Sequence, residues 1–389
     1  MSVRSRRPRV VHVITRLIVG GAQLSVVGLC EELRDEYDVR IVTGPQTGPE
    51  GSLLSRAAAA APVSVLDMLR REISPRWDPV AVYGLRRVLR RLDGDIVHTH
   101  SSKAGIVGRF AAATLSTRVV HTVHGWGHTP ADSPARRAAF IALERASARR
   151  CDALVAVSAD NREEGLAQRI GRPEIYRVIP ELVELDPLES DFVKARAQAR
   201  QTLGVEQGAE VIGWVGRFVE QKDPQTLSRA LGSLLRERPS SRAVLIGDGA
   251  RRGEVEALLD AAGVGDRVTF TGVVHGARAL MPAFDVLIHP SRWEGQPRVV
   301  LEALAERVPV VAAKASGIDE LIRQGSTGFV VRQQAPEEMA EATAVVLEER
   351  ALRAPLDEHL LADLKVKHGR AFAVARHREL YDELLRGRP

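Results

Sequence analysis

The sequence predicts an α/β protein built from two domains. At 389 residues the chain exceeds one comfortable hydrophobic core. Short apolar, strand-like runs alternate with helix-period segments along its whole length, the pattern of a sheet covered by helices. An acidic, proline-containing stretch ending near Ser190 supplies a boundary, so domains are expected over 1–185 and 186–370, with a terminal helix over 371–386 inside a last segment, 371–389.

Composition narrows the class. Two cysteines, Cys30 and Cys151, make no disulfide framework and lack metal-ligand spacing, so both read as buried thiols in a reducing cytosol. The basic start, MSVRSRRPR, resembles the charged end of a signal peptide, but the following run contains His12 and Arg16 and lacks a small-residue cleavage site. No segment approaches the roughly 20 apolar residues that span a bilayer. Charge is uneven: residues 1–180 hold 27 Lys/Arg against 18 Asp/Glu, and the remainder 28 against 32. A basic first half suits anionic lipid or an anionic acceptor. Sparse aromatics and no base-stacking motif argue against nucleic acid.

Residues 10–14 (VVHVI) read as the first strand, and the loop after it carries Gly20 and Gly21 before a helix over 22–34. A glycine pair lets a ligand approach a helix N-terminus closely, although a plain tight turn uses the same residues. The loop is neither a dinucleotide fingerprint nor a Walker loop. Further elements are a strand at 37–43, a Gly/Pro loop at 44–51, and a small-residue helix with a short strand at 63–66. A helix at 79–92 carries Arg86, Arg87, Arg90 and Arg91, which form a solvated face or a patch for membrane or an anionic acceptor.

DIVHTH (95–100) is a strand with His98 and His100 on one face, and no third ligand sits at a spacing that completes a metal site. The next helix opens with Lys103, a candidate phosphate or acceptor contact or else a surface lysine. The strand after it ends at His124, where a side chain points into the crevice that binds ligands in open α/β sheets. Phe140, Ile141 and Leu143 then lie among arginines on a helix that buries against the sheet or touches a membrane.

In the second half, VIGWVGRFVEQKDP runs from a strand through Gly216 and Arg217 to Lys222 at a helix start. Arginine engages two oxygens and lysine supplies a point charge, which suits a diphosphate. VLIGDGA ends a strand in a glycine turn, Gly247 and Gly249, and Val268–Gly272 forms another strand. LIHPSRWEGQPRVVLEALAERVP (287–309) is a strand, a loop and a helix with Pro297 expected at its first position. Glu294 precedes that helix N-terminus and Glu302 lies eight residues on. Unpaired amides suit a phosphate and carboxylates accept hydroxyls, which together describe a nucleotide sugar.

The Glu294-to-Glu302 spacing, VGRFVEQK and the IGDG turn together resemble the retaining GT-B glycosyltransferases of family 4, and the resemblance covers nearly the whole chain. It implies two Rossmann-like domains facing a cleft, with the donor held mainly by the second and the acceptor by the first. It implies that Glu294 holds donor-sugar hydroxyls, that Glu302 holds the ribose, and that Gly295, Gln296, Pro297, Arg298 and Val299 complete the strand-to-helix donor loop. Gly20 and Gly21 are expected against the diphosphate, His124 beside the sugar, the Gly247–Gly249 turn facing the nucleotide, and backbone near Val274 and His275 at the base.

The chain departs from the family where Glu181, Leu182 and Glu184 replace Asn, Gly and Asp, where Ser316 stands for a Gly, and where Arg307 replaces a helix-ending glycine. The expected reaction moves a sugar from a nucleoside-diphosphate sugar, UDP favoured, to a hydroxyl acceptor with retention. Arg217, Lys222 and the amides near Arg298 and Val299 would absorb leaving-group charge. With no DxD element, neither a metal nor another cofactor is expected. HTHSSKAG and FIALERASARRCDALVAVS resemble members that build cell-surface polysaccharide on lipid-linked acceptors, which places the protein in the cytoplasm or at the inner membrane face. A nucleotide-sugar epimerase, natural-product glycosylation and an inactive scaffold remain alternatives.

Overall fold

A computed structural model describes residues 6–47, 51–74, 76–129, 131–349 and 358–387. The first five residues of the basic start and positions 48–50 of the 44–51 loop lie outside these. The chain divides into two compact units, one of residues 1–182 and 370–389 and one of residues 183–369.

Unit 1 carries seven parallel strands: β1 (Arg9–Ile14), β2 (Asp38–Thr43), β3 (Val63–Val65), β4 (Ile96–His100), β5 (Arg118–Val123), β6 (Ala153–Ala156) and β7 (Tyr176–Val178). Their order is β3-β2-β1-β4-β5-β6-β7, so the direction of winding reverses between β1 and β4. Intervening helices are α1 (Gly21–Leu33), α2 (Leu54–Ala60), α3 (Asp78–Leu92), α4 (Ser102–Ala112), α5 (Pro134–Ala148) and α6 (Ala159–Ala167). Alternate residues of β1 enter opposite cores: Val10 and Ile14 join one cluster, Val11 and Val13 the other. Burial on both faces explains why the strand reads as a nearly continuous apolar run, interrupted by His12.

Unit 2 holds α7 (Phe192–Leu203), β8 (Glu210–Val215), α8 (Pro224–Glu237), β9 (Ser241–Ile246), α9 (Arg252–Ala261), β10 (Val268–Gly272), β11 (Val286–His289), α10 (Arg298–Ala305), β12 (Val310–Ala313), β13 (Gly328–Val331), α11 (Pro336–Glu348) and α12 (Glu358–His368). Its parallel sheet runs β10-β9-β8-β11-β12-β13, reversing between β8 and β11. In an open α/β sheet the loops after the strands that flank such a reversal form the ligand crevice. Those loops are 15–20 and 101 in unit 1, and 216–223 and 290–297 in unit 2.

The last helix, α13 (Arg370–Arg386), belongs to unit 1, where Ala373, Val374, Leu380 and Tyr381 complete the β1/β4 core face. Cys30 is buried as expected, but Cys151 is only half-buried. Phe140 is buried while Leu143 on the same helix is 42% exposed.

Arg307 has φ +63° and itself adopts the left-handed turn that a glycine would take without strain. Arg307→Gly is therefore expected to raise the unfolding free energy by about 1 kcal/mol, read as a higher urea midpoint at unchanged slope.

Candidate functional site

In unit 2 three turns meet at the C-terminal ends of β8, β9 and β11. The β9 turn is pressed onto the β8 turn: Gly216 N–H donates to Ile246 O at 3.0 Å and Phe218 N–H to Asp248 O at 3.1 Å. Gly247 and Gly249 have φ of +136° and +159°, and a Cβ on Gly247 would sit 1.8 Å from Gly216 O. Neither position accepts a side chain, which accounts for the IGDG sequence.

The third turn is tied to the first by a short 3-10 stretch, Glu220–Lys222. Gln221 Nε2 donates to Trp293 O at 2.9 Å, and Arg292 N–H returns a bond to Gln221 O at 2.9 Å. Lys222 Nζ reaches Glu294 Oε1 at 2.5 Å, and His289 Nε2 lies 3.2 Å from the same oxygen. Burial works against ionising Glu294, but the Lys222 charge and the His289 hydrogen bond outweigh it and hold the carboxyl well below its usual range. Burial pushes His289 below its ordinary value despite Glu294, so a neutral ring donates Nε2–H. Glu294 Oε2 accepts no hydrogen bond among the described residues. One oxygen orients the carboxylate and the other is open to a hydroxyl.

Helix α10 begins at Arg298 with Pro297 as its N-cap, one residue earlier than a first-turn proline. The first intrahelical bond runs from Val300 N–H to Pro297 O, leaving the Arg298 and Val299 amides ahead of it. Glu302 lies 3.6 Å from Arg298 across one turn, and burial pushes its carboxyl up, only partly offset by Arg298. Gln296 is buried and turned toward His368 at 3.2 Å. Gly295 lies between Glu294 and Gln296 in the same turn, and Gly216 leads into Arg217 at the end of β8.

Val274 and His275 are not gathered into this cluster. They line a separate groove of about 520 Å³ with Leu188, Gln198 and Glu306. Arg278 donates to the Glu306 carboxylate at 2.6 Å and to Glu184 O at 2.6 Å.

In unit 1, Gly20 is the N-cap of α1 in an extended conformation, and Gly21 is its first residue. Lys103 is taken up locally, its ammonium held by the Asp78 carboxylate and by Glu72 O at 2.9 Å. Ser101, two residues before it, has φ +62°, and its Oγ lies 2.8 Å from Thr15 Oγ1.

Sequence spacing missed the third histidine beside His98 and His100. Parallel pairing sets His12 of β1 opposite His98 of β4, and the three rings bring a ligand atom each within 4.8 Å. Hydrogen bonds occupy five of their six ring nitrogens: His12 Nδ1 to His100 Nε2 at 3.1 Å, His100 Nδ1 to His124 Nε2 at 3.2 Å, and His98 to Tyr381 and Thr122. Burial pushes His12 down to about 3 and holds His98 and His100 well below the ordinary value, so the rings are neutral. This pattern is a hydrogen-bonded array, and only His12 Nε2 lacks a partner. His124 closes the series, its Nδ1 lying 2.7 Å from Glu181 Oε1.

Residues 209–349 match the family described as Glycosyl transferases group 1, and residues 19–187 that described as Glycosyltransferase Family 4. The chain is 26% identical over 349 residues to UDP-Gal:alpha-D-GlcNAc-diphosphoundecaprenol alpha-1,3-galactosyltransferase of Escherichia coli, covering 88% of this chain and 89% of that one. It is 30% identical over 296 residues to the D-inositol 3-phosphate glycosyltransferase of Actinosynnema mirum, covering 72% and 69%. Among solved structures it superposes on Alr3699/HepE of Anabaena in complex with UDP and glucose, with TM-score 0.81, 22% identity and coverage of 96% and 99%. Sucrose-phosphate synthase from Thermosynechococcus elongatus gives TM-score 0.83 at 22% identity, with coverage of 98% and 100%. These likenesses identify the two parallel-sheet units as the GT-B fold.

Because the native carboxyl of Glu294 lies below the unfolded value of about 4.5, its stabilisation is complete above that pH and is lost as pH falls through the folded value. Glu294→Gln is expected to cost about 3 kcal/mol at pH 7, with the gap to wild type narrowing in urea titrations below about pH 4.5.

Proposed function

Since the chain belongs to the family 4 glycosyltransferases, we propose that it moves a sugar from a nucleoside-diphosphate donor held by unit 2 to a hydroxyl acceptor held by unit 1, with retention at the anomeric carbon. The observation that carries this is the ionised Glu294, oriented through one oxygen and open through the other, beside a helix N-terminus that favours phosphate. In this reading Glu294 Oε2 accepts donor-sugar hydroxyls and Glu302 accepts the ribose. Gly20, Gly21 and Gly216 allow the backbone close to the diphosphate, and Gly247 and Gly249 do so for the nucleotide.

Bond breaking at the anomeric carbon places growing negative charge on the departing diphosphate. Arg217, Lys222 and the Arg298 and Val299 amides are assigned to stabilise that charge, which would otherwise need a metal. Lys222 thus bridges the carboxylate that fixes the sugar and the phosphate that leaves. UDP is favoured as the nucleotide because the Escherichia coli relative uses UDP-Gal and the Anabaena structure holds UDP. A lipid-linked saccharide is the favoured acceptor, with a role in cell-surface polysaccharide or glycolipid synthesis, since that relative acts on a diphosphoundecaprenol.

The test is thermal stabilisation by UDP, GDP, ADP and TDP, each with and without magnesium. UDP at 100 times its dissociation constant should add about 2.7 kcal/mol irrespective of metal; no shift with any of the four would remove the donor site. Lys222→Ala should lower kcat by roughly 100-fold or more in a protein that still unfolds cooperatively, and near-normal turnover would take Lys222 out of the site.

A lipid-linked acceptor requires work at a membrane surface, and no described helix is long and apolar enough to cross one. Trp77 and Tyr83, at and within the start of α3, are 57% and 62% exposed, with Arg70 and Arg87 stacked over their rings at 5.9 Å. A groove of about 620 Å³ is lined by Arg71, Glu72, Ile73, Arg136, Ala139, Phe140 and Leu143. Arginine-rich aromatic surface suits the interface of an anionic bilayer. Sedimentation with phosphatidylglycerol vesicles should exceed that with phosphatidylcholine, and Arg87→Ala should weaken it about fivefold, from about 1 kcal/mol per charge.

A further inference from the structure

We propose that Glu181 is a positioning residue that dictates which nitrogen of His124 carries the proton, and that it sets the same choice in His100 and His12. The inference rests on the reading of His124 as a group of the transfer site. Glu181 stands where the family resemblance expects an asparagine, and it is 4% exposed. Leu182 N–H donates to Ser25 Oγ at 3.2 Å, and the Ser25 hydroxyl in turn gives its single proton to Glu181 Oε2. That leaves Oε1 to face His124 Nδ1 at 2.7 Å.

A carboxylate only accepts, so His124 must present Nδ1–H. In the neutral ring its Nε2 is then a bare acceptor, which obliges His100 to donate from Nδ1 across 3.2 Å. The lone pair left on His100 Nε2 in turn obliges His12 to donate from Nδ1 across 3.1 Å. The series ends at His12 Nε2, buried and without a partner, where this direction leaves an unmatched lone pair and the reverse direction would leave an unmatched N–H.

The other titratable groups around the series are committed elsewhere. His98 bonds Thr122 and Tyr381, His121 Nδ1 bonds Thr99, and His377 Nδ1 lies 2.8 Å from Ala373 O. Arg109 is paired with Glu144 at 2.6 Å. None of these supplies a competing donor or acceptor to the three links, so the direction of the chain is set from the Glu181 end. The consequence for transfer is a His124 ring held in one tautomer and one orientation. An asparagine amide, which can present either N–H or C=O, would leave that choice open.

Selective 15N-histidine labelling reads the tautomers directly. The wild type should show Nδ1–H at His12, His100 and His124, assigned by His12→Asn and His100→Asn. Glu181→Gln keeps the shape of the side chain and should convert these signals to a mixture of Nδ1–H and Nε2–H. In the same variant kcat should fall roughly 10- to 100-fold, as when an orienting partner of a histidine is lost, while donor KM stays near its wild-type value.

Nε2–H at His124 in the wild type, or unchanged tautomers in Glu181→Gln, would overturn the proposal outright. Altered tautomers with unchanged kcat would overturn the positioning role. If wild-type protein with ordered tautomers transferred no sugar from any donor, the transfer reading would fail and the positioning role with it, while the tautomer assignment would stand on the spectra alone.

Discussion

The ion pair between Lys222 and Glu294 is the constraint on which unit 2 is arranged. A carboxylate so little exposed loses most of its hydration, and it stays ionised because His289 donates to it and a cation reaches it from a turn 72 residues away in sequence. That requirement fixes the β8 turn against the β11 turn. The bonds between Gln221, Trp293 and Arg292 then hold the two backbones in the same register. The helix that follows inherits its position from this clamp. The amides at the start of α10 and the Glu294 carboxylate are thus parts of one rigid piece rather than separate groups on flexible loops.

Unit 1 solves a different electrostatic problem at the equivalent place in its sheet. Where β1 and β4 diverge, imidazoles fill a face that elsewhere holds Val10, Ile14 and Ile96. Burial keeps these rings uncharged, and all their nitrogens but His12 Nε2 are hydrogen-bonded, to one another, to His124 or to Tyr381 and Thr122, so the rings sit in the core without bringing in charge. The nearby carboxylate of Glu181 is the one acidic anchor that the arrangement uses.

Much of this was legible in the sequence, and the reason is local. Parallel strands buried on both faces read as short apolar runs, and glycines such as Gly247 and Gly249 occur where backbone contact forbids a Cβ. The fold and the turns after β8, β9 and β11 follow from such signals. Contacts between distant positions do not. His12 joins His98 only through strand pairing across more than eighty residues, and Lys103 meets Asp78 only because α3 and α4 pack together. The start of α10 moved by one residue because proline serves a helix from the cap as well as from the first turn. Glu181 stood out as a departure from the family pattern, but a single sequence held nothing to show what it would bond.

The glycine turn after β9 also bears on how such a site can change over time. With Gly247 seated on the Gly216 carbonyl and Gly249 on the Phe218 backbone, no side chain of any kind fits there. Those two positions are closed to evolutionary drift, so variation in this part of the fold has to come from other positions, such as the neighbouring turns at 217–222 and 290–297.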